Sequence, residues 1–172
     1  MVESGKMTRQ EISAFYQEHH RRLYNTAWRI LQDSDDAEEV MQDTLLKFIN
    51  RKEAAPLSGP QISAWLTRTC IRASIDRLRE RRRRAGFLEL YAQDETEVQE
   101  EEISLTGLEV PTVQRALEGL EEPYRLILNL VLLEGLDYEE ISAFTGKKET
   151  TLRSLYSRGR AKLKERLIHD RV

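Results

Sequence analysis

The chain has 172 residues, 40% hydrophobic and 33% charged, with a formal net charge of −3. That is the composition of an ordinary soluble protein of one domain or two small ones, and no apolar run approaches the roughly twenty residues that cross a bilayer. Cys70 is the single cysteine, which excludes an internal disulfide and suits a reducing compartment.

Met1 to Gln10 lacks the apolar core of a signal peptide. Beyond it, almost every periodic segment reads as helix. Leu23, Ala27, Ile30 and Leu31 form one apolar stripe, and Met41, Leu45, Phe48 and Ile49 form another. Asp33, Ser34, Asp35 and Asp36 separate the two, a cluster suited to cap the second helix and to meet the positive end of its dipole. A break with prolines and a glycine follows from Arg51 to Pro60. Ser58 and Gln61 have capping-box spacing, so a third, long helix is expected to start near Pro60 and run through Arg84. Ile71, Ile75 and Leu78 mark its inner face.

From Ala85 to Val110 the periodicity fails, leaving a short apolar patch, Phe87 to Tyr91, and an acidic run; this reads as a linker. Periodicity resumes at Val113, Ala116, Leu117 and Leu120, and again at Leu126, Leu130 and Leu133. No alternating strand segment and no internal repeat stands out. The expected fold is all-α, with two small helical domains over residues 8–85 and 111–170 joined by an acidic linker over 86–110.

The last segment carries the strongest functional signal. Asp137 and Glu140 have capping-box spacing at the start of a helix whose apolar side is Tyr138, Ile141 and Phe144. Gly146 can close that helix with a positive φ. A final helix, seeded by Thr150 or Thr151, buries Leu152, Leu155, Tyr156, Gly159 and Leu163. Between them stand Arg153, Arg158, Arg160, Lys162, Lys164 and Arg166. A short helix, a glycine turn and an amphipathic basic helix form the helix-turn-helix that docks in a DNA major groove, although a merely solvated basic face has the same pattern.

Charge is segregated rather than mixed. Arg77 to Arg84 holds six arginines and one glutamate, Asp94 to Glu102 six carboxylates and no cation, and Lys147 to Arg166 eight basic and two acidic residues. Two basic segments around an acidic one suggest two DNA-contacting lobes and a connector. Enzyme chemistry finds no support. His19, His20 and His169 lack metal-ligand spacing, and there is no phosphate loop, nucleophile elbow or paired-cysteine motif. No catalytic residue, metal site or cofactor is expected, and Cys70 reads as a small core residue.

The order of features resembles the extracytoplasmic-function (ECF) type of bacterial RNA polymerase sigma factor, in the sigma-70 superfamily. Asp36-Ala37-Glu38-Glu39-Val40-Met41-Gln42-Asp43-Thr44 is similar to that family's polymerase-binding helix. Trp65-Leu66-Thr67-Arg68 with Asp76-Arg77-Leu78-Arg79 is similar to its promoter-melting helix. Leu120-Glu121-Glu122-Pro123-Tyr124-Arg125 and Glu134-Gly135-Leu136-Asp137-Tyr138-Glu139-Glu140-Ile141 resemble its L-P-E-P-Y-R and E-G-L-S-Y-E-E-I. The four occur in the family's order.

The resemblance implies a promoter-specificity factor that binds polymerase core at its clamp and flap surfaces, recognises −35 and −10 elements and assists strand opening in the cytoplasm, under an anti-sigma factor. It implies polymerase contacts at Asp36, Glu39, Gln42 and Asp43, where acids can face a basic partner surface or simply be solvated. For the −10 element and melting it implies Ile62, Trp65, Arg68, Arg72 and Arg79, since bases stack on aromatics and phosphates need cations. Trp65 suits the core equally well. The loop Asn50 to Gln61 corresponds to the family's pocket for an extruded base. For the −35 element it implies Arg153, Ser154, Ser157, Arg158 and Arg160.

The chain departs from the family in four places. Arg72 replaces a common asparagine, Ile62 a frequent aromatic, Leu155 a basic residue, and Lys147-Lys148 an Ile-Pro pair; the Leu155 change would convert a base contact into packing. A stand-alone helix-turn-helix regulator is the alternative, and it would have no use for the Asp36 to Thr44 helix. A protein-interaction module sharing the hairpin is another.

Overall fold

Helix α1 (Arg9–Leu31) starts where Thr8 and Glu11 exchange capping bonds: the Glu11 amide donates to Thr8 Oγ1 at 3.2 Å and the Thr8 amide to Glu11 Oε2 at 2.7 Å. In the computed structural model, which describes residues 6–51, 57–85 and 105–170, the chain divides into two units, Met1–Ala85 and Gly86–Val172. Among the described residues there are seven α-helices and no strand. The apolar patch at Phe87 to Tyr91, the acidic run and residues 52–56 of the expected capture loop lie outside the described residues.

In the first unit α1 turns into α2 (Ser34–Ile49) through Gln32 and Asp33. Gln32 takes a left-handed φ of 49° and its amide bonds the Trp28 carbonyl at 2.7 Å, which ends α1 abruptly. Asp33 then caps α2 by accepting the Asp36 amide at 2.8 Å. Helix α3 (Gly59–Ala85) opens with the expected reciprocal Ser58–Gln61 bonds of 2.9 and 3.4 Å. Each helix packs on the other two. Leu23, Ala27, Ile30 and Leu31 are buried with Met41, Leu45, Leu66, Ile71, Ile75 and Leu78. Each larger side chain contributes about 1.5–3 kcal/mol by leaving water. Cys70 belongs to this core, its thiol 3.4 Å from the Leu23 carbonyl.

The second unit begins with α4 (Val110–Glu118) and α5 (Glu122–Leu128), each with a proline in its first turn, where a missing amide costs nothing. The periodicity of Leu126, Leu130 and Leu133 implies one regular helix. The chain instead widens into a π turn at Asn129–Leu133, with the Glu134 amide bonding the Asn129 carbonyl at 3.0 Å. Gly135, at φ 70°, closes that end, and Leu133 is left half-buried.

Helix α6 (Tyr138–Thr145) has the Asp137–Glu140 capping box, with bonds of 2.8 and 3.0 Å, and ends at Gly146 with φ 72°. Helix α7 (Glu149–His169) packs mainly on α5. A Cβ on Gly159 would stand 3.2 Å from the Leu128 side chain, so the glycine permits that close approach. One expectation is corrected: α7 is capped by Lys148 without a side-chain bond, not seeded by Thr150 or Thr151. The turn is closed from α6, where Ser142 Oγ donates to the Lys147 carbonyl at 2.7 Å, so the chain enters α7 earlier. Glu149 then occupies its first turn, favoured by the helix dipole.

Candidate functional site

The outer face of α7 collects every residue expected to read duplex DNA. At the helical repeat, Arg160, Arg153, Ser157, Ser154 and Arg158 fall within a sector of about 160°, while Leu152, Leu155, Gly159 and Leu163 are buried on the other side. Leu155 is a packing residue, at 4% exposure, as its departure from the family pattern implies. The cations lie on aromatic faces. The Arg153 guanidinium carbon is 5.3 Å from the Tyr138 ring centroid, and that of Arg160 is 5.0 Å from Tyr156. Ser154 donates back to the Thr150 carbonyl at 3.2 Å. A guanidinium over a ring is held by its charge rather than through its N–H groups, which suits an arginine that must meet phosphates or guanine edges.

On α2, Asp36, Glu39, Gln42 and Asp43 share a sector of about 120°, opposite the buried Ala37, Val40, Met41, Thr44 and Leu45. They are not equivalent. Asp43 and Glu39 are exposed, Gln42 donates to Glu38 Oε1 at 3.3 Å, and Asp36 is drawn into the fold. Arg77 of α3 bonds Asp36 Oδ1 at 3.2 Å and Glu39 Oε1 at 3.0 Å, and Arg81 bonds Asp36 Oδ2 and, at 2.8 Å, the Leu31 carbonyl. The Glu39 hydrogen bond, with the neighbouring carboxylates, raises the Arg77 pKa against the desolvation that would lower it. Sequence reasoning overlooked Leu46, 54% exposed at the C-terminal end of this face. Its i+3, i+4 and i+7 spacing from Asp43, Gln42 and Glu39 was the available signal, and an exposed apolar side chain beside polar ones suits an interface.

Along α3, Arg68, Arg79, Arg72, Trp65 and Ile62 share a third sector of about 120° facing away from the core. Arg68, Arg72 and Arg79 are exposed and Ile62 is half-buried. Trp65, also half-buried, packs edge-on against Phe48 at 5.4 Å; Phe48 stacks on Phe15 at 5.0 Å and carries Arg51 at 5.3 Å. An indole anchored along one flank and partly open on the other can hold a base without leaving the fold.

The basic end of α3 is less free than its composition suggests. Arg77 and Arg81 serve α2, Arg83 and Arg84 bond Glu80 at 2.7 and 3.2 Å, and Arg79 lies 3.7 Å from Asp76. The hydrogen bond from Arg83 is the main cause of a lowered Glu80 pKa. The described residues contain no group of three or more metal-ligating side chains, and none of their helices is long and apolar enough to cross a membrane.

Comparison with known proteins places both units. Residues 15–84 match the family described as Sigma-70 region 2, and residues 112–163 match Sigma-70, region 4. The ECF RNA polymerase sigma factor SigE of Mycolicibacterium smegmatis is 30% identical over 156 residues, 87% of this chain and 59% of the relative. SigM of Mycobacterium tuberculosis is 29% identical over 150 residues, 86% of this chain and 72% of its own length. The chain thus spans less than two thirds of the first relative. The fold is similar to the sigma factor RpoE of Bartonella quintana, solved with the anti-sigma factor NepR, with a TM-score of 0.53 and 23% identity over 92% of this chain and 97% of that one.

Proposed function

The chain belongs to the sigma-70 family of RNA polymerase sigma factors, of the extracytoplasmic-function type, and from that premise we propose that it directs polymerase core to promoters. The first unit, as a region 2-like domain over 8–85, binds the clamp and handles the −10 element; the second, as a region 4-like domain over 111–170, reads the −35 element and meets the flap. The factor has no catalytic step of its own. Polymerase performs the chemistry, and the factor supplies position and strand capture.

One observation carries this reading: an acidic α2 face with Leu46 exposed among its polar neighbours, on the same chain as a helix-turn-helix with an outward cationic sector. A stand-alone regulator needs only the second. Asp43, Glu39 and Gln42 are the proposed polymerase contacts, and Asp36 orients the helix through Arg77 and Arg81. Trp65, Arg68 and Arg72 hold the opened strand, and Arg79 meets phosphate. Arg153, Ser154, Ser157, Arg158 and Arg160 read the duplex. By family analogy an anti-sigma protein that masks these surfaces is the proposed regulator, and the cytoplasm, where polymerase works, is the proposed location.

Run-off transcription with purified bacterial core polymerase tests the reading on a promoter selected from genomic fragments. Initiation that requires this chain and is lost in Asp43→Arg supports it. Specific duplex binding by the chain alone, with no binding to core and no initiation, would establish the stand-alone regulator instead.

A further inference from the structure

Tyr138 belongs to the helix before the recognition helix, yet its ring meets two side chains of α7. The Arg153 guanidinium lies over it at 5.3 Å, and the Tyr156 ring meets it in a T-shaped contact at 6.1 Å and 74°. Arg160 covers Tyr156 in turn at 5.0 Å. Arg153 has a second tether, Glu149 one turn earlier, 3.6 Å from Nη2. Cation, ring, ring and cation thus form a row along the flank of α7, anchored in α6 beside its capping box.

The row bears on recognition because Arg153 is otherwise open to solvent, with 56% of its side chain exposed. A free arginine samples many rotamers, and ordering it on DNA subtracts from binding. A ring beneath the guanidinium attracts its charge through the ring quadrupole and narrows those rotamers, while the planar fork of N–H donors remains available at its edge. The ion pair to Glu149 is exposed and worth little by itself, which leaves the ring as the main restraint.

We infer that Tyr138 is a positioning residue for Arg153, so that −35 selectivity at the base pair Arg153 reads depends on an aromatic ring in the preceding helix. The inference rests on the assignment of α7 as the −35 reader. It explains a tyrosine that is only half-buried at the start of α6, where packing alone would be served by an aliphatic side chain.

The test uses the full chain assembled with core polymerase and promoter fragments randomised across the −35 segment. Base preference is measured position by position for wild type, Arg153→Ala, Tyr138→Leu, Tyr138→Phe and the Arg153→Ala, Tyr138→Leu double variant. Tyr138→Leu should lower preference roughly three- to tenfold, the worth of ordering one long side chain, at the same positions that Arg153→Ala affects and nowhere else. Tyr138→Phe, which keeps the ring, should match wild type, and Tyr138→Leu should add nothing once Arg153 is alanine. An even loss at all positions, or a further loss in the double variant, would assign Tyr138 to general packing and overturn the inference. A sharp wild-type profile that Arg153→Ala leaves unchanged also overturns it while sparing the promoter-reading assignment. A flat wild-type profile sinks that assignment itself.

Discussion

The two arginine-rich stretches of this chain look alike on paper and are used oppositely. At the end of α3, Arg77 and Arg81 are turned onto α2 carboxylates and a helix-end carbonyl, and Arg83 and Arg84 onto Glu80. On α7, Arg153 and Arg160 rest on tyrosine rings, with an exposed 3.6 Å ion pair from Arg153 to Glu149 beside the ring. A carboxylate partner cancels the charge and occupies the donors, whereas a ring face holds the cation and leaves its donors usable. Counting arginines therefore overstates the DNA-binding capacity of the first stretch.

The sharpest way to break that contrast is to remove charge from α7. Arg153→Ala combined with Arg158→Ala should weaken promoter binding by the holoenzyme about thirtyfold or more, at about 1–3 kcal/mol per base contact, as read by fragment binding at fixed salt. Arg81→Met should do something different. It removes the guanidinium donor from the Leu31 carbonyl and leaves Asp36 with Arg77 as its cation, and with both partners partly exposed the expected cost is about 1–2 kcal/mol of first-unit stability. Urea unfolding followed by tryptophan fluorescence isolates this effect, because both tryptophans, Trp28 and Trp65, lie in the first unit. Asp36→Asn should cost nearly as much, and the two together less than their sum.

Salt dependence sharpens the contrast further. Each α7 arginine that contacts phosphate should lower the slope of log affinity against log salt by about 0.9 when neutralised, and Arg81→Met should leave the slope unchanged. An equal drop for Arg81→Met would mean that its ion pairs open on DNA. The smallest effect concerns pH. Burial lowers the His19 pKa from its ordinary 6.5, reinforced by Arg22 and opposed by Glu18. The folded first unit therefore favours neutral His19, and the stability this represents is intact above pH 6.5 and lost as pH falls through 6.5 toward the lower folded value. Tryptophan-detected unfolding should show wild type weakening on mild acidification, with a shallower dependence in His19→Gln.

Most helix boundaries were legible because caps are local. Asp33, the Ser58–Gln61 pair, the Asp137–Glu140 box and Gly146 each act within four residues of the helix end they define, and all stand where their spacing predicts. The failures were tertiary. The start of α7 depends on a Ser142 bond to the Lys147 carbonyl across the turn, and the π turn after α5 breaks a periodicity that looked regular. Phe15 was missed as core because its partner Phe48 lies in another helix, and His19 with it because its ring packs on Phe15. The candidate sectors were legible residue by residue, since helical spacing alone puts Arg153, Ser154, Ser157 and Arg158 on one side. Which members stay exposed was not.

By itself the sequence determined the helical class, the caps, the alternation of charge blocks and the family pattern, all of which depend on neighbours within a turn or two of chain. Only the tertiary structure decided which charges are spent inside the molecule. Asp36 and Arg81 stand forty-five residues apart, and no spacing rule links them. Their pairing exists because packing α1, α2 and α3 around one core brings the start of α2 against the end of α3, where the contact between the two ions offsets the hydration each partly loses.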